Sequence, residues 1–186
     1  MTEKEKMIGG EPYNPNDREL VKGRLNARRL LREIESIPMD KERQRKHFFK
    51  ELFAETGKNF YIENRFTCDY GFNIYWGENS YANFDCIILD AAPVYIGNNV
   101  MMAPGVKLLT ATHPLEFKAR NSGIEYAKPI KIGDNVWIGG GVIVNPGVTI
   151  GNNSVIGSGS VVVKDIPDNV VAVGNPCRVL KKIDNK

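Results

Sequence analysis

The strongest constraint in this sequence is a period of six. From Ile132 onward every sixth residue is aliphatic: Ile132, Ile138, Val144, Ile150, Ile156 and Val162. Four positions after each of the first five stand Val136, Val142, Val148, Ser154 and Ser160, and glycine follows the aliphatic at 133, 139, 151 and 157. An amphipathic helix repeats at 3.6 and a half-buried strand at 2, so neither produces this pattern. Six residues fit one short strand and one turn. Three such units close a triangular coil of roughly 18 residues, bonded to the next coil at about 4.8 Å. Gly-Asp-Asn at 133–135 and Gly-Asn-Asn at 97–99 and 151–153 supply turn residues that tolerate left-handed backbone. Val and Ile suit the inward positions of a pleated, buried surface. One rung cannot bury its apolar side alone, whereas stacked rungs share a continuous interior. An antiparallel sheet with Gly-rich hairpins would instead show alternation broken by variable loops. The stretch 130–164 therefore predicts a parallel β-helix.

Residues 1–57 are a different material, rich in Arg, Lys and Glu, and read as a helical segment. Asn16 with Glu19 suggests a capping box opening a helix with Leu20, Ala27, Leu30, Leu31 and Ile34 on one side. Pro38 stops it. Asp40 is placed to cap a second helix carrying Phe48, Phe49, Leu52 and Phe53, with Gly57 ending it. These two helices are expected to cover the flank of the coil. The β-helix spans 58–175, beginning roughly from Phe60. Trp76 and Ile96 are 20 apart rather than 18, a two-residue slip placed at Asp90-Ala91-Ala92-Pro93. Between Leu108 and Ile132 the repeat fails. The segment 112–129 reads as an excursion from a corner, of a length that usually serves a function or is disordered. After Asp168, Gly174-Asn175-Pro176 suggests a short C-terminal helix over 176–186 that covers the open end.

Composition excludes several functions. At 186 residues the chain can bury a proper core. Its formal net charge of +3, from 25 basic and 22 acidic residues, argues for neither nucleic acid nor membrane as a partner. No apolar run approaches the ~18 residues of a membrane span. The opening MTEKEKMIGG has no signal core, and Cys68, Cys86 and Cys177 form neither a metal spacing nor an even disulfide set. A cytoplasmic protein without a metal is expected.

Few residues offer chemistry. His47 reads as a surface residue. His113 stands at the foot of the excursion, where an imidazole can take a proton from a hydroxyl near neutral pH, or merely hydrogen-bond loop backbone. Asp69, Asn83, Asp85, Asp90 and Glu125 lie near the early rungs or on the excursion. Polar groups on a rung face outward or are paired. Lined up, such groups suit a hydroxyl-rich ligand, although Asp85 and Asp90 read more simply as solvated turn residues. Trp137 precedes inward Ile138 and so points out, next to Gly139-Gly140-Gly141. That shelf, with free backbone groups, suits a thin pantetheine-like chain or a subunit contact. Arg178 and Lys181, three apart on the expected helix, can meet a phosphate. A covalent route through Cys86 is less favoured, having no histidine near it in sequence.

The motifs TATHP at 110–114, NVWIGGGVIVNPGVTIGNNSVIGSGSVVVKDIP at 135–167 and VGNPCRVLKK at 173–182 resemble the hexapeptide-repeat acyltransferases. KEKMIGGEPYNPNDREL, TCDYGFNIYWGENSYANFDCIILD and ATHPLEFKARNSGIE narrow the resemblance to the maltose/galactoside O-acetyltransferase group. It implies a mainly β fold, a left-handed parallel β-helix with the helical lead, acting as a homotrimer with sites between neighbouring coils. It implies acetyl-CoA as donor, a small sugar as acceptor, and His113 as general base in a direct ternary-complex mechanism. Asp17, Asp69 and Asn83 match acceptor positions, with Glu125 beside them as a substrate-binding candidate. Trp137, Gly140, Ser158, Val163, Lys164, Arg178 and Lys181 match positions lining the coenzyme. Asp69, and Ala91 where the galactoside branch can carry a second Asp, favour a glucose- or maltose-type acceptor. An antibiotic or other xenobiotic hydroxyl is the alternative acceptor. A non-catalytic β-helix module is disfavoured by His113, Asn83 and the excursion. A zinc enzyme on this coil would need three histidines, and the chain has two.

Overall fold

A computed structural model describes residues 1–184, so the last two residues of the predicted tail lie outside the described residues. The predicted coil is present, with three parallel sheets forming its faces. The first face stacks Glu55–Thr56, Ile74–Trp76, Val94–Ile96, Ile130–Ile132 and Thr149–Ile150. The second stacks Tyr61–Ile62, Tyr81–Ala82, Met101–Met102, Trp137–Ile138, Val155–Ile156 and Val170–Val173. Thr67–Cys68, Ile87–Leu89, Lys107–Leu109, Ile143–Val144 and Val161–Val162 make the third. The hexad aliphatics Ile138, Val144, Ile150, Ile156 and Val162 are fully enclosed. So are Ser154 and Ser160, whose hydroxyls bond backbone within the coil.

Turn residues stack as the rungs do. Asn99, Asn135, Asn153 and Asn169 all have φ between 55° and 57°, and their side-chain amides bond one to the next at 2.9–3.0 Å. The expected slip at 90–93 is real, and it has company. Ile62 to Cys68 and Trp76 to Ala82 to Ile88 keep the step of six, but Cys68 to Trp76 and Ile88 to Ile96 take eight. The third departure is the excursion. It runs out along Ala111–Thr112, through a short helix at Phe117–Asn121, and back along the antiparallel Tyr126–Ala127. All three departures fall at one corner, between the third face and the first.

The lead holds helices α1 (Glu3–Gly9), α2 (Arg18–Ser36) and α3 (Glu42–Leu52). Thr2 and Glu5 form a reciprocal capping box on α1. The expected box at Asn16 is displaced by one residue. Asp17 caps α2 by accepting the Glu19 amide at 2.9 Å, while the Asn16 amide is already held in a turn by the Asn14 side chain. Helix α3 follows Lys41, with no side-chain cap, because Asp40 lies in a turn closed by the Lys41 amide on the Pro38 carbonyl. It ends at Leu52, before Gly57. Phe53 leaves the helix to stack on Trp76, and Glu55–Thr56 then pairs as the first rung. Helices α2 and α3 seal the coil's end as well as reaching its flank: Ala27, Leu30, Ile34, Phe49 and Phe53 share one core with the first coil's Phe60, Phe66 and Trp76. Buried Arg45 ties α2 to that coil, donating to the Ile34 and Ile62 carbonyls.

The C-terminal helix is absent. Arg178–Lys182 is a strand, antiparallel to Val170–Val173 on the second face. The last rung presents a row of unpaired backbone groups, and a returning strand satisfies them where a helix would not.

Candidate active site

The shared corner builds a cavity of about 500 Å³ lined by parts of three regions: Tyr13, Asn16 and Arg24 of the lead, Asp69, Tyr70 and Ala91 of the first two breaks, and His113, Arg120 and Glu125 of the excursion. The lead reaches it because Tyr13 and Glu125 exchange backbone hydrogen bonds at 3.1 Å each. The Tyr13 hydroxyl also donates to the Glu125 carboxylate at 2.6 Å. A second small core of Met7, Leu20, Tyr70, Ala91, Ala92 and Ala127 fastens α1 and α2 to this corner.

His113 is exposed at the cavity, and its ring makes no hydrogen bond to described residues, which leaves both nitrogens open to a ligand. Arg24 donates to the Tyr70 hydroxyl at 2.7 Å and to the Pro15 carbonyl at 2.8 Å. Arg120 donates to the Pro114 and Leu115 carbonyls, closing the turn after His113. Burial raises the Asp69 carboxyl above the usual range, opposed by the nearby Arg24 and Arg28 guanidiniums. Burial, reinforced by the Glu125 carboxylate, drives the Tyr13 phenol far up, so it stays a hydrogen-bond donor. The cavity thus offers carboxylate acceptors, guanidinium donors and one open imidazole, a set matched to a ligand with several hydroxyls.

Some predicted residues fall elsewhere. Asp17 does not line the cavity, because its carboxylate is occupied capping α2. Asn83 lies at the corner between the second and third faces, where its side-chain oxygen accepts the Phe84 amide at 2.8 Å. Asp85 is an exposed turn residue in a two-bonded pair with Arg65. Asp90 is not solvated: it is 0 % exposed, its carboxylate accepting the amides of Asp69 (3.1 Å), Tyr70 (2.8 Å) and Asn73 (3.3 Å). Cys86 is buried, and burial pushes its thiol up to about 11, which disfavours a thiolate nucleophile. Among the described residues no cluster could hold a metal.

The coenzyme candidates occupy two sides of the coil. Trp137 points outward from the second face, 51 % exposed. It stands in register with Val155, Val171 and Lys181, a column three strand spacings long. Arg178 pairs with Val173 and Lys181 with Val171, a bulge absorbing Leu180 between them. That bulge sets the two cations on one face although they are an odd three positions apart, as helical spacing had suggested for a different reason. Gly140 and Ser158 stack at the adjacent corner, while Val163 and exposed Lys164 follow the end of the third face. The glycine shelf is not free. The Gly139, Gly140 and Gly141 amides already donate to Ile156 O, Ser158 Oγ and Pro104 O. Gly139 is required by close stacking, since a Cβ there would lie 2.5 Å from the Ser158 nitrogen.

Sequence reasoning singled out neither Tyr13 nor Arg24. Their partners are far away in the chain, Glu125 being 112 residues from Tyr13, so no local pattern marks them. Only the run EPYNPND before α2, rich in turn formers and with a single aromatic, hinted at a lead folded over something.

A triangular coil of stacked six-residue units places the chain in the class of hexapeptide-repeat transferases. Residues 129–164 match the family described as bacterial transferase hexapeptide (six repeats), and residues 6–57 match the maltose acetyltransferase hexapeptide capping motif. The galactoside O-acetyltransferase of Escherichia coli K12 is 44% identical over 98% of this chain and 90% of its own length. A crystal structure of a maltose O-acetyltransferase from Clostridium difficile 630 is 56% identical, covers 100% of this chain and 99% of its own, and superposes with a TM-score of 0.98. A galactoside acetyltransferase in complex with coenzyme A is 44% identical, covers 100% of this chain and 92% of its own, and has a TM-score of 0.95. The chain belongs to the hexapeptide-repeat acetyltransferases, within the maltose/galactoside O-acetyltransferase group, and its coil is the left-handed parallel β-helix of that family.

Proposed function

We propose that this enzyme transfers acetyl from acetyl-CoA to a hydroxyl of a small glucose- or maltose-type sugar, with His113 as general base. The observation that carries the reading is the cavity itself, which an open imidazole lines together with Asp69, Glu125 and Arg24. In this mechanism the imidazole takes the proton of the sugar hydroxyl as the oxygen attacks the thioester carbon. The tetrahedral intermediate then collapses, the C–S bond breaks, and the imidazolium returns the proton to the coenzyme sulfur. Proton removal and fixed orientation supply much of the rate, because a sugar hydroxyl is a poor nucleophile. The occupied amides of Gly139, Gly140 and Gly141 favour an oxyanion donor outside that shelf.

The functional unit is a homotrimer. His113 and Asn83 stand on different corners of one protomer, and Val163 and Lys164 lie apart from Trp137, Gly140 and Ser158. Each set is completed when the corner bearing Asn83 and Gly140 of one copy meets the His113 corner of the next. Exposed Met101 and Phe84 on that side supply an apolar contact. Two measurements test the reading. Thiol release from acetyl-CoA with glucose, maltose and an antibiotic alcohol should favour the sugars and collapse in His113→Ala; turnover confined to the bulky alcohol would replace it. Sedimentation should give three times 20.8 kDa, and a monomer active at high dilution would remove the shared site.

A further inference from the structure

The corner that carries the cavity is held from inside by a polar chain that never reaches it. The buried side chains of Asn73, Asp90 and Thr110 come from the three successive departures from the repeat. Asp90 takes the amides of Asp69, Tyr70 and Asn73. The Asn73 side-chain amide donates to the Asp90 and Ala91 carbonyls at 2.8 and 3.2 Å. Thr110 accepts the Ala92 amide at 2.9 Å and donates to the Leu89 carbonyl at 2.5 Å. Asp69 and Tyr70 are cavity wall, and Thr110 lies three residues before His113. Among the described residues no cation bonds the Asp90 carboxylate; three backbone N–H groups hold it, as in an anion nest.

We infer that Asp90 is a positioning residue of the acceptor side, its carboxylate fixing Asp69 and Tyr70, and through Asn73 and Thr110 their spacing to His113. This rests on the proposed acetyl transfer, since the acceptor is what the corner would orient. A carboxylate is suited to the task because its two oxygens serve three donors at once. In Asp90→Asn one oxygen still serves Asp69 and Tyr70, while the amide nitrogen opposes the Asn73 amide. Asp90→Ala releases all three.

The test is a double-mutant cycle with Asp69→Ala, read on acceptor KM, acetyl-CoA KM and kcat at pH 7.5. Asp90→Asn should raise acceptor KM about tenfold, the scale of one lost bond to a charged group, with acetyl-CoA KM unchanged. In the Asp69→Ala background the same substitution should add less than about twofold, because Asp90 acts through Asp69. Full additivity, or equal changes in both KM values, would overturn the assignment. Amide exchange on the same proteins reads the network without any acceptor. Asp90→Asn should speed exchange at 69–73 about tenfold and leave 132–162 unchanged; unaltered exchange at 69–73 overturns the assignment even if no sugar is turned over. Wild-type protein inert towards every sugar would instead remove the acetyl-transfer reading.

Discussion

The coils at 130–162 and those at 61–109 share one cross-section and differ at one corner. In the later coils each aliphatic follows the last by six, and the corners are tight turns stacked on their own kind. In the earlier coils two corners stay tight while the third takes two extra residues twice and then an 18-residue loop, 112–129. The first two inserts leave Asp69 half-buried at the cavity and bury Asp90; the third presents His113. Regular repetition holds the frame, and the cavity with its open imidazole lies at the edge where repetition lapses. The lapses stack on one another, so residues far apart in sequence arrive side by side.

The largest effect should come from the irregular edge. His113→Ala should lower kcat about 10²–10⁴-fold with little change in melting temperature, the side chain being exposed. A comparable drop in melting temperature would erase the distinction between edge and frame. Ile138→Ala sharpens it from the other side. Removing this fully buried side chain should cost roughly 2–5 kcal/mol in denaturant unfolding, with acceptor KM unchanged in the folded fraction. Tyr13→Phe tests the join between lead and excursion. It removes only the hydroxyl bond to Glu125, and should cost about 1 kcal/mol and raise acceptor KM several-fold. An unchanged KM would make that bond purely structural.

A pH dependence probes the buried acid of the same edge. Burial pushes the Asp90 carboxyl up to about 6, against roughly 3.9 in an unfolded chain. Between these values the folded protein binds this proton and the unfolded one does not. The group therefore adds stability as pH falls through 6 and loses it as pH rises. The melting temperature of wild type minus that of Asp90→Asn should grow from pH 7 to pH 4.5; a constant difference would mean the carboxyl titrates alike in both states.

The frame was legible because burial inside a narrow coil leaves each inward position almost no choice. Even the slip at 90–93 announced itself as a phase change between Trp76 and Ile96. The C-terminal strand was not legible. Its cause is a backbone edge on the last coil, and RVLKK carries no periodicity strong enough to contradict a helix. Asp90 misled for a related reason: an acid at a corner reads as solvated unless the coil above it is known to aim amide groups at it. His113 could be singled out as a candidate because the excursion and its flanking motif are both local. Arg24 and Tyr13 stayed hidden because their partners lie in other layers.

The antiparallel bridge between Tyr13 and Glu125 has a practical corollary. It lets a segment that precedes the whole solenoid form one wall of the cavity, facing the excursion. Exchanging the first sixteen residues between relatives should thus retune what the cleft admits while leaving every rung of the spiral as it is.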